Sequence, residues 1–266
     1  MDQGPDLKNL LDSWPYDPEK TVRVVETADG RRVIQVRTPF GFEQYEMDGR
    51  PDGQRPHGKD SLLTYHLQRL AEAERNGAAD GFELSHRDCL ELFEEAVMYY
   101  YRYLHLFELQ DWKRTVRDTA RNIKLFDLAK RHAARSEDRR YLEQWRPYIT
   151  RMNAVALAMI ALSHQRYDEA LKVVDDAIEG IESMPKVDLS SFEYEYQRSL
   201  SSLRELADQI RKNRPLSERD QLERQLEAAV RREDFERAAA LRDRILALKD
   251  EPAGSADTDA CHAARP

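Results

Sequence analysis

The hydrophobic period of this 266-residue chain changes once, near Ser61, and that change limits the fold more than any other feature. From Thr21 to Met47 apolar and polar residues alternate, the period of two that presents one face of a strand to a core. Thr21–Val25 and Arg32–Val36 flank Ala28-Asp29-Gly30, and Asp-Gly between alternating runs signals a hairpin. Gly41 then permits a turn into Phe42–Met47, so a three-stranded antiparallel meander is expected. Three strands alone bury too little, and Trp14, Tyr16, Phe40 and Phe42 are the residues expected to pack the meander on the rest. From Ser61 onward the period is 3.6. The fold class that follows is mainly α, with a small N-terminal β-meander.

The helical part reads as a series of amphipathic segments. Leu62, Leu63, His66, Leu67 and Leu70 make one stripe, ended near Asn76-Gly77. Leu84–Leu109 is rich in aromatics, and Tyr99, Tyr100, Tyr101 and Tyr103 fall all round the helix, the mark of a buried element rather than of a base-stacking platform. Asp111–Ala134 follows with Trp112, Val116, Ala120 and Ile123 inward. Arg139–Gln165 reads as one long helix, then Tyr167–Ile181 after a tight turn, then Leu189–Lys212. Ala154, Leu157, Ala158, Ala161, Tyr167, Ala170, Val174 and Ala177 resemble the small-and-large pattern of a tetratricopeptide repeat. The preceding pair has the same plan, with Trp112 standing where Tyr167 does. Stacked helix pairs with a concave face are expected.

Beyond the breaker Asn213-Arg214-Pro215 lies Leu216–Lys249. Ser217 is an N-cap candidate, and Leu222, Leu226, Ala229 and Val230 recur at helical spacing. Arg231–Asp234 interrupts them, Asp234 can cap a second helix, and its stripe is Phe235, Ala238, Leu241, Ile245 and Leu248. So short a link forces an antiparallel αα-hairpin. This stretch resembles the UVR motif, the helical hairpin at the C-terminus of UvrB and inside UvrC. The resemblance rests on Leu226, Ala229, Glu233-Asp234-Phe235-Glu236, Ala238-Ala239, Leu241-Arg242-Asp243, Ile245 and Leu248. In that family the hairpin is a protein-contact element, serving UvrB–UvrC association and self-association, and it recurs in Clp-type chaperone ATPases and their adaptors. The resemblance implies a partner-binding surface of Leu222, Leu226, Val230, Phe235, Ala238, Leu241, Arg242 and Ile245, with Phe235 and Ile245 near its centre. Trp14-Pro15-Tyr16-Asp17-Pro18, Asp48–Gly53 and Met98-Tyr99-Tyr100 also look like those of a group of bacterial UVR-motif proteins, which implies no reaction. With eight basic and nine acidic residues from Leu216 to Asp250, the hairpin is a poor phosphate binder.

The net charge of −8 argues against general adhesion to nucleic acid or anionic membranes. One basic stripe stands out against it: Arg114, Arg117, Arg121, Lys124, Arg131 and Arg135, candidate anion ligands on Asp111–Arg140. The plainer reading is a solvated face paired with acidic neighbours. Gly53, Gly58 and Lys59 stand at P-loop spacing, but Asp60 occupies the hydroxyl position, so no nucleotide or other cofactor is expected and Asp60 or Ser61 reads as a helix N-cap. The seven histidines are scattered, read as surface or core-edge residues, and no GxSxG, locally paired acids or metal-ligand spacing is present. Cys89 and Cys261 are far apart, the start is acidic, and the longest apolar run, Ala154–Leu162, is nine residues where a membrane span needs about 20. The expectation is a cytoplasmic, non-enzymatic adaptor with four parts: 1–58 meander and connector, 59–213 helical body, 214–250 hairpin, 251–266 disordered tail. Its partner is a protein or a second copy of itself; a nucleic-acid accessory factor using the basic stripe is the alternative.

Overall fold

A computed structural model describes residues 7–215 and 218–250. Ser217, the tail 251–266 and the side chain of Leu248, all interpreted above, lie outside the described residues. The chain falls into two compact units that part between Lys212 and Asn213.

The first unit opens with a short helix, α1 (Lys8–Ser13), and the meander β1 (Val22–Glu26), β2 (Arg32–Thr38) and β3 (Gly41–Glu46), antiparallel in the order β1-β2-β3. Val24 faces Ile34 across the first ladder and Ile34 faces Tyr45 across the second. Gly30 takes φ +80° in the first turn. In the second turn it is Pro39-Phe40 that reverses the chain, and Gly41 is already in the ladder opposite Thr38. The packing of the sheet differs from the sequence reading. Ile34, Val36 and Met47 bury against Leu106, with Val22, Tyr45 and Leu109 at the edge. Trp14 instead lies on Phe42 at 5.7 Å under the Arg23 guanidinium, and Phe40, at the turn tip, is 93% exposed. The period of two assigns alternate residues to two faces but does not say which face is the inner one.

The helices are α2 (Leu62–Arg75), α3 (His86–Glu108), α4 (Trp112–His132), α5 (Ser136–Tyr141), α6 (Arg146–Ser163), α7 (Tyr167–Glu182) and α8 (Ser190–Asn213). Neighbours pack in succession, α3 on α4, α4 on α6 and α6 on α7. Ser61 caps α2, its hydroxyl accepting from Thr64 N–H at 3.0 Å. The helix expected from Arg139 is broken: Leu142 ends α5, a single 3₁₀ turn spans Glu143–Trp145, and α6 starts at Arg146. Pro147 in the first turn of α6 explains the restart, since its missing N–H is harmless there and disruptive one turn later. The inward face of α4 also differs. Trp112, Val116, Ala120 and Ile123 are half-buried, whereas Thr115, Asp118, Thr119 and Asn122 are fully buried. His66 likewise is a core residue rather than a core-edge one.

The second unit is the hairpin α9 (Glu218–Arg231) and α10 (Phe235–Asp250). Its turn repeats the one that joins α3 to α4 and α6 to α7 in the first unit. Gln110, Gln165 and Glu233 sit in the left-handed region at φ 58°, 59° and 59°. Each donates its N–H to the carbonyl three residues back, at Phe107, Leu162 and Val230. The next residue, Asp111, Arg166 or Asp234, donates to the carbonyl five back, at Leu106, Ala161 and Ala229. This is the Schellman closure, which satisfies the last carbonyls of one helix while turning the chain into the next.

Candidate functional site

In the hairpin, Leu222, Ala229, Ala238, Leu241 and Ile245 form a closed core with Leu226 packed against it. Asp234 caps α10, accepting from Arg237 N–H at 3.1 Å. The residues singled out from the sequence thus divide into two sets. Leu222, Ala238, Leu241 and Ile245 are buried and Leu226 half-buried, holding the two helices together. Val230 is 51% and Phe235 69% exposed, and Arg242 is open to solvent beside Asp243 at 3.6 Å. Ile245 therefore belongs to the hairpin's own core, whereas Phe235 stands on its surface.

The shared turn shows what that exposure means. The residue three before the left-handed position and the residue two after it form an apolar pair in all three hairpins. They are Phe107 and Trp112, Leu162 and Tyr167, and Val230 and Phe235. Phe107 and Trp112 meet edge to face at 5.0 Å and are half-buried. Leu162 and Tyr167 are half-buried against the core of α6, α7 and α8. Val230 and Phe235, at the same places in the same turn, are the pair left more than half exposed.

The basic stripe on α4 also divides. Arg114 bridges Asp48 at 3.2 Å and Asp111 at 2.9 Å. Arg117 holds Asp48, the Asp118 carboxylate at 2.8 Å and the Met47 carbonyl at 2.9 Å. Hydrogen bonding from Arg114, then Arg117, keeps the Asp48 carboxyl below its usual range. Arg121 reaches Glu95 and lies over the Tyr99 ring at 4.0 Å. Burial, with Arg50 alongside, lowers its pKa to about 9. Lys124, Arg131 and Arg135 are exposed.

These pairs belong to a buried network that apolar periodicity cannot show. Arg102, fully buried, grips Asp118 with two bonds of 2.7 and 2.9 Å. Its third nitrogen donates to the carbonyls of Glu46 and Gly49 at 2.9 and 2.8 Å, and the Tyr99 hydroxyl donates to Gly49 as well. Glu95 accepts from Leu62 and Leu63 N–H at the start of α2 and lies 3.5 Å from Arg50. Asn122 donates to the Ala96 carbonyl, and Asn153 to Thr119. The Asp48–Gly53 loop and Tyr99, noticed separately in the sequence, are thereby brought together. The sequence signal for the network is Arg102 itself, a charge set among Tyr99, Tyr100, Tyr101 and Tyr103. A shallow cleft of about 300 Å³ lies along this loop, and the arginines lining it already carry carboxylate partners: Arg31 with Glu46, Arg50 with Asp52, Arg55 with Asp60. Gly53 lines it, whereas Gly58 and Lys59 do not. Among the described residues no His/Cys/Asp/Glu group has metal-site geometry, and no helix is long and apolar enough to cross a membrane. Cys89 is buried, and burial pushes its thiol up to about 12, far from a reactive thiolate.

Compared with known families, residues 217–251 match the UVR model, described as the UvrB/uvrC motif, a stretch that takes in α9 and α10. The motif is a binding element rather than a catalytic one. Comparison with curated proteins and with solved structures finds no match.

Proposed function

We propose that this protein is a non-enzymatic adaptor of the cell interior whose C-terminal hairpin, residues 214–250, captures a helical protein partner or a second copy of itself. The carrying observation is the exposed pair Val230 and Phe235 on a hairpin whose own core is already closed. In the two body hairpins the equivalent pair is half-buried, and a partner helix laid across the turn would give the third the same cover. The UVR match supports a contact role, and the settings in which that motif is found, excision repair and Clp-type protein quality control, are the ones this reading favours. The helical body, residues 59–213, serves as a stacked scaffold with the repeat-like pairs α3/α4 and α6/α7.

The test separates surface from core. The full chain and its Val230→Asp/Phe235→Asp variant are compared for capture of proteins from an extract of the source cells and for self-association by sedimentation. The variant should lose both, with its helical signal and melting unchanged. Unaltered capture and association in a folded variant would overturn the reading.

A further inference from the structure

We propose that the surface running from the last turn of α4 through α5 to Trp145 binds single-stranded nucleic acid, independently of the hairpin. The carboxylates here turn inward and the cations outward. Asp138 is buried on His86 at 3.0 Å, Glu143 is taken by Lys130 and Arg146, and Asp127 by Arg146. Arg131, Arg135, Arg139 and Arg140 are exposed and make no close carboxylate ion pair among the described residues, the exposed Glu137 feeling Arg140 and Arg135 only at longer range. Two of them are anchored to the backbone, Arg131 Nε on the Asp127 carbonyl and Arg139 Nε on the Ala133 carbonyl at 2.6 Å. Glu137 is the one exposed acid from Lys130 to Arg140, and five basic residues surround it there. On a chain of net charge −8, attraction for phosphate needs a local basic surface of this kind.

Two exposed aromatic residues follow these cations directly in the chain, and they favour a nucleic acid over an acidic protein. Tyr141 is 54% exposed while one face stacks on Phe93, centroids 4.9 Å apart and planes at 19°. Its open area is therefore the opposite face and the edge. Trp145, four residues on, is 41% exposed. Exposed rings in the same short stretch as exposed guanidinium groups match the alternation of base and phosphate along a single strand. A duplex hides its base faces, and an acidic peptide has none to stack.

The probe is a fluorescent oligothymidylate titrated with the full chain by anisotropy. Four phosphate contacts give a slope of about −3 in log affinity against log salt, roughly a fifty-fold loss between 50 and 200 mM. Arg131→Gln/Arg135→Gln/Arg139→Gln/Arg140→Gln should abolish binding, and the matching set of Arg→Lys changes should keep most of it. Tyr141→Leu/Trp145→Leu should weaken binding about tenfold or more with little change in slope. Arg204→Gln/Arg211→Gln, on exposed arginines of α8 paired with Glu182 and Asp175, is the control and should change nothing. Absence of binding at low salt, full binding by the four-glutamine variant when folded, or equal competition by polyglutamate or by duplex DNA would each overturn the proposal.

Discussion

Replacing Arg102 with leucine tests whether the buried network holds the first unit together. Removing one partner of a buried ion pair costs about 3–5 kcal/mol, because the charge left behind is uncompensated. Asp118 would keep Arg117, at 2.8 Å and partly exposed, so the charge penalty falls near the lower end. The Gly49 carbonyl would keep the Tyr99 hydroxyl at 3.3 Å, but the Glu46 carbonyl would lose its Arg102 donor, and an unsatisfied buried group costs about 1–3 kcal/mol. Together these give about 4–6 kcal/mol, and at 2–4 °C per kcal/mol for a unit of this size the melting temperature should fall by roughly 8–24 °C. Native stabilities are about 5–15 kcal/mol, so the variant sits close to unfolding. The assay is urea unfolding followed by circular dichroism for Arg102→Leu, Asp118→Leu and the double variant. The double variant removes both charges and should recover part of the loss, giving a coupling energy of about 1–3 kcal/mol. A loss below about 1 kcal/mol for Arg102→Leu, or strict additivity in the double variant, would refute the reasoning, since an isolated pair of that kind behaves like a surface ion pair.

Four further outcomes follow from the same geometry. His66 is buried with Nδ1 against Arg69 Nη1 at 3.1 Å, and burial lowers its pKa despite Asp88 nearby. Below its unfolded pKa of about 6.5 the unfolded chain takes up the proton first, so the melting temperature should fall as pH drops from about 7 to 5 and should fall less in His66→Gln. Glu95→Gln weakens both the cap on α2 and the Arg121 pair, so it should destabilise more than Ser61→Ala, whose single cap bond is worth about 1 kcal/mol; equal losses in urea would contradict the crosslink. Glu233→Gly should stabilise the hairpin by about 1 kcal/mol, read from hydrogen exchange in α9 and α10, because glycine adopts φ 59° without strain. ATP with magnesium should leave the melting temperature unmoved, a tight ligand being expected to raise stability by about 2.7 kcal/mol at a hundredfold excess; a shift lost in Lys59→Ala would restore the P-loop reading.

What was legible in the sequence was what periodicity encodes. The switch at Ser61 placed the meander and the helices, and Glu233–Ile245 carried the motif. Periodicity fails on the first half of α4, because the buried face there is polar: Asp118, Thr119 and Asn122 reach across to α3 and α6 and so look like surface residues in a hydrophobicity pattern. Phe40 shows the converse failure, a large apolar residue that a turn tip holds out in solvent. Within the hairpin the sequence placed Phe235 and Ile245 together at one contact, and helical spacing alone does not separate an inner stripe from its flank. The repeated spacing Phe107-Gln110-Trp112, Leu162-Gln165-Tyr167, Val230-Glu233-Phe235 is visible in the sequence and marks the third pair out.

The Schellman turns also bear on how the chain reaches its fold. A turn that closes on carbonyls three and five residues back lets each helical pair zip up from its own bend, and contacts between near neighbours in sequence form fast. The hairpin α9/α10 is a separate compact unit with such a bend at Glu233. Within that unit the bend and the small core of α9 and α10 make zipping and fraying of the pair a local event. Under the contact role proposed above, such a hairpin would let partners exchange on it many times within the lifetime of the folded body.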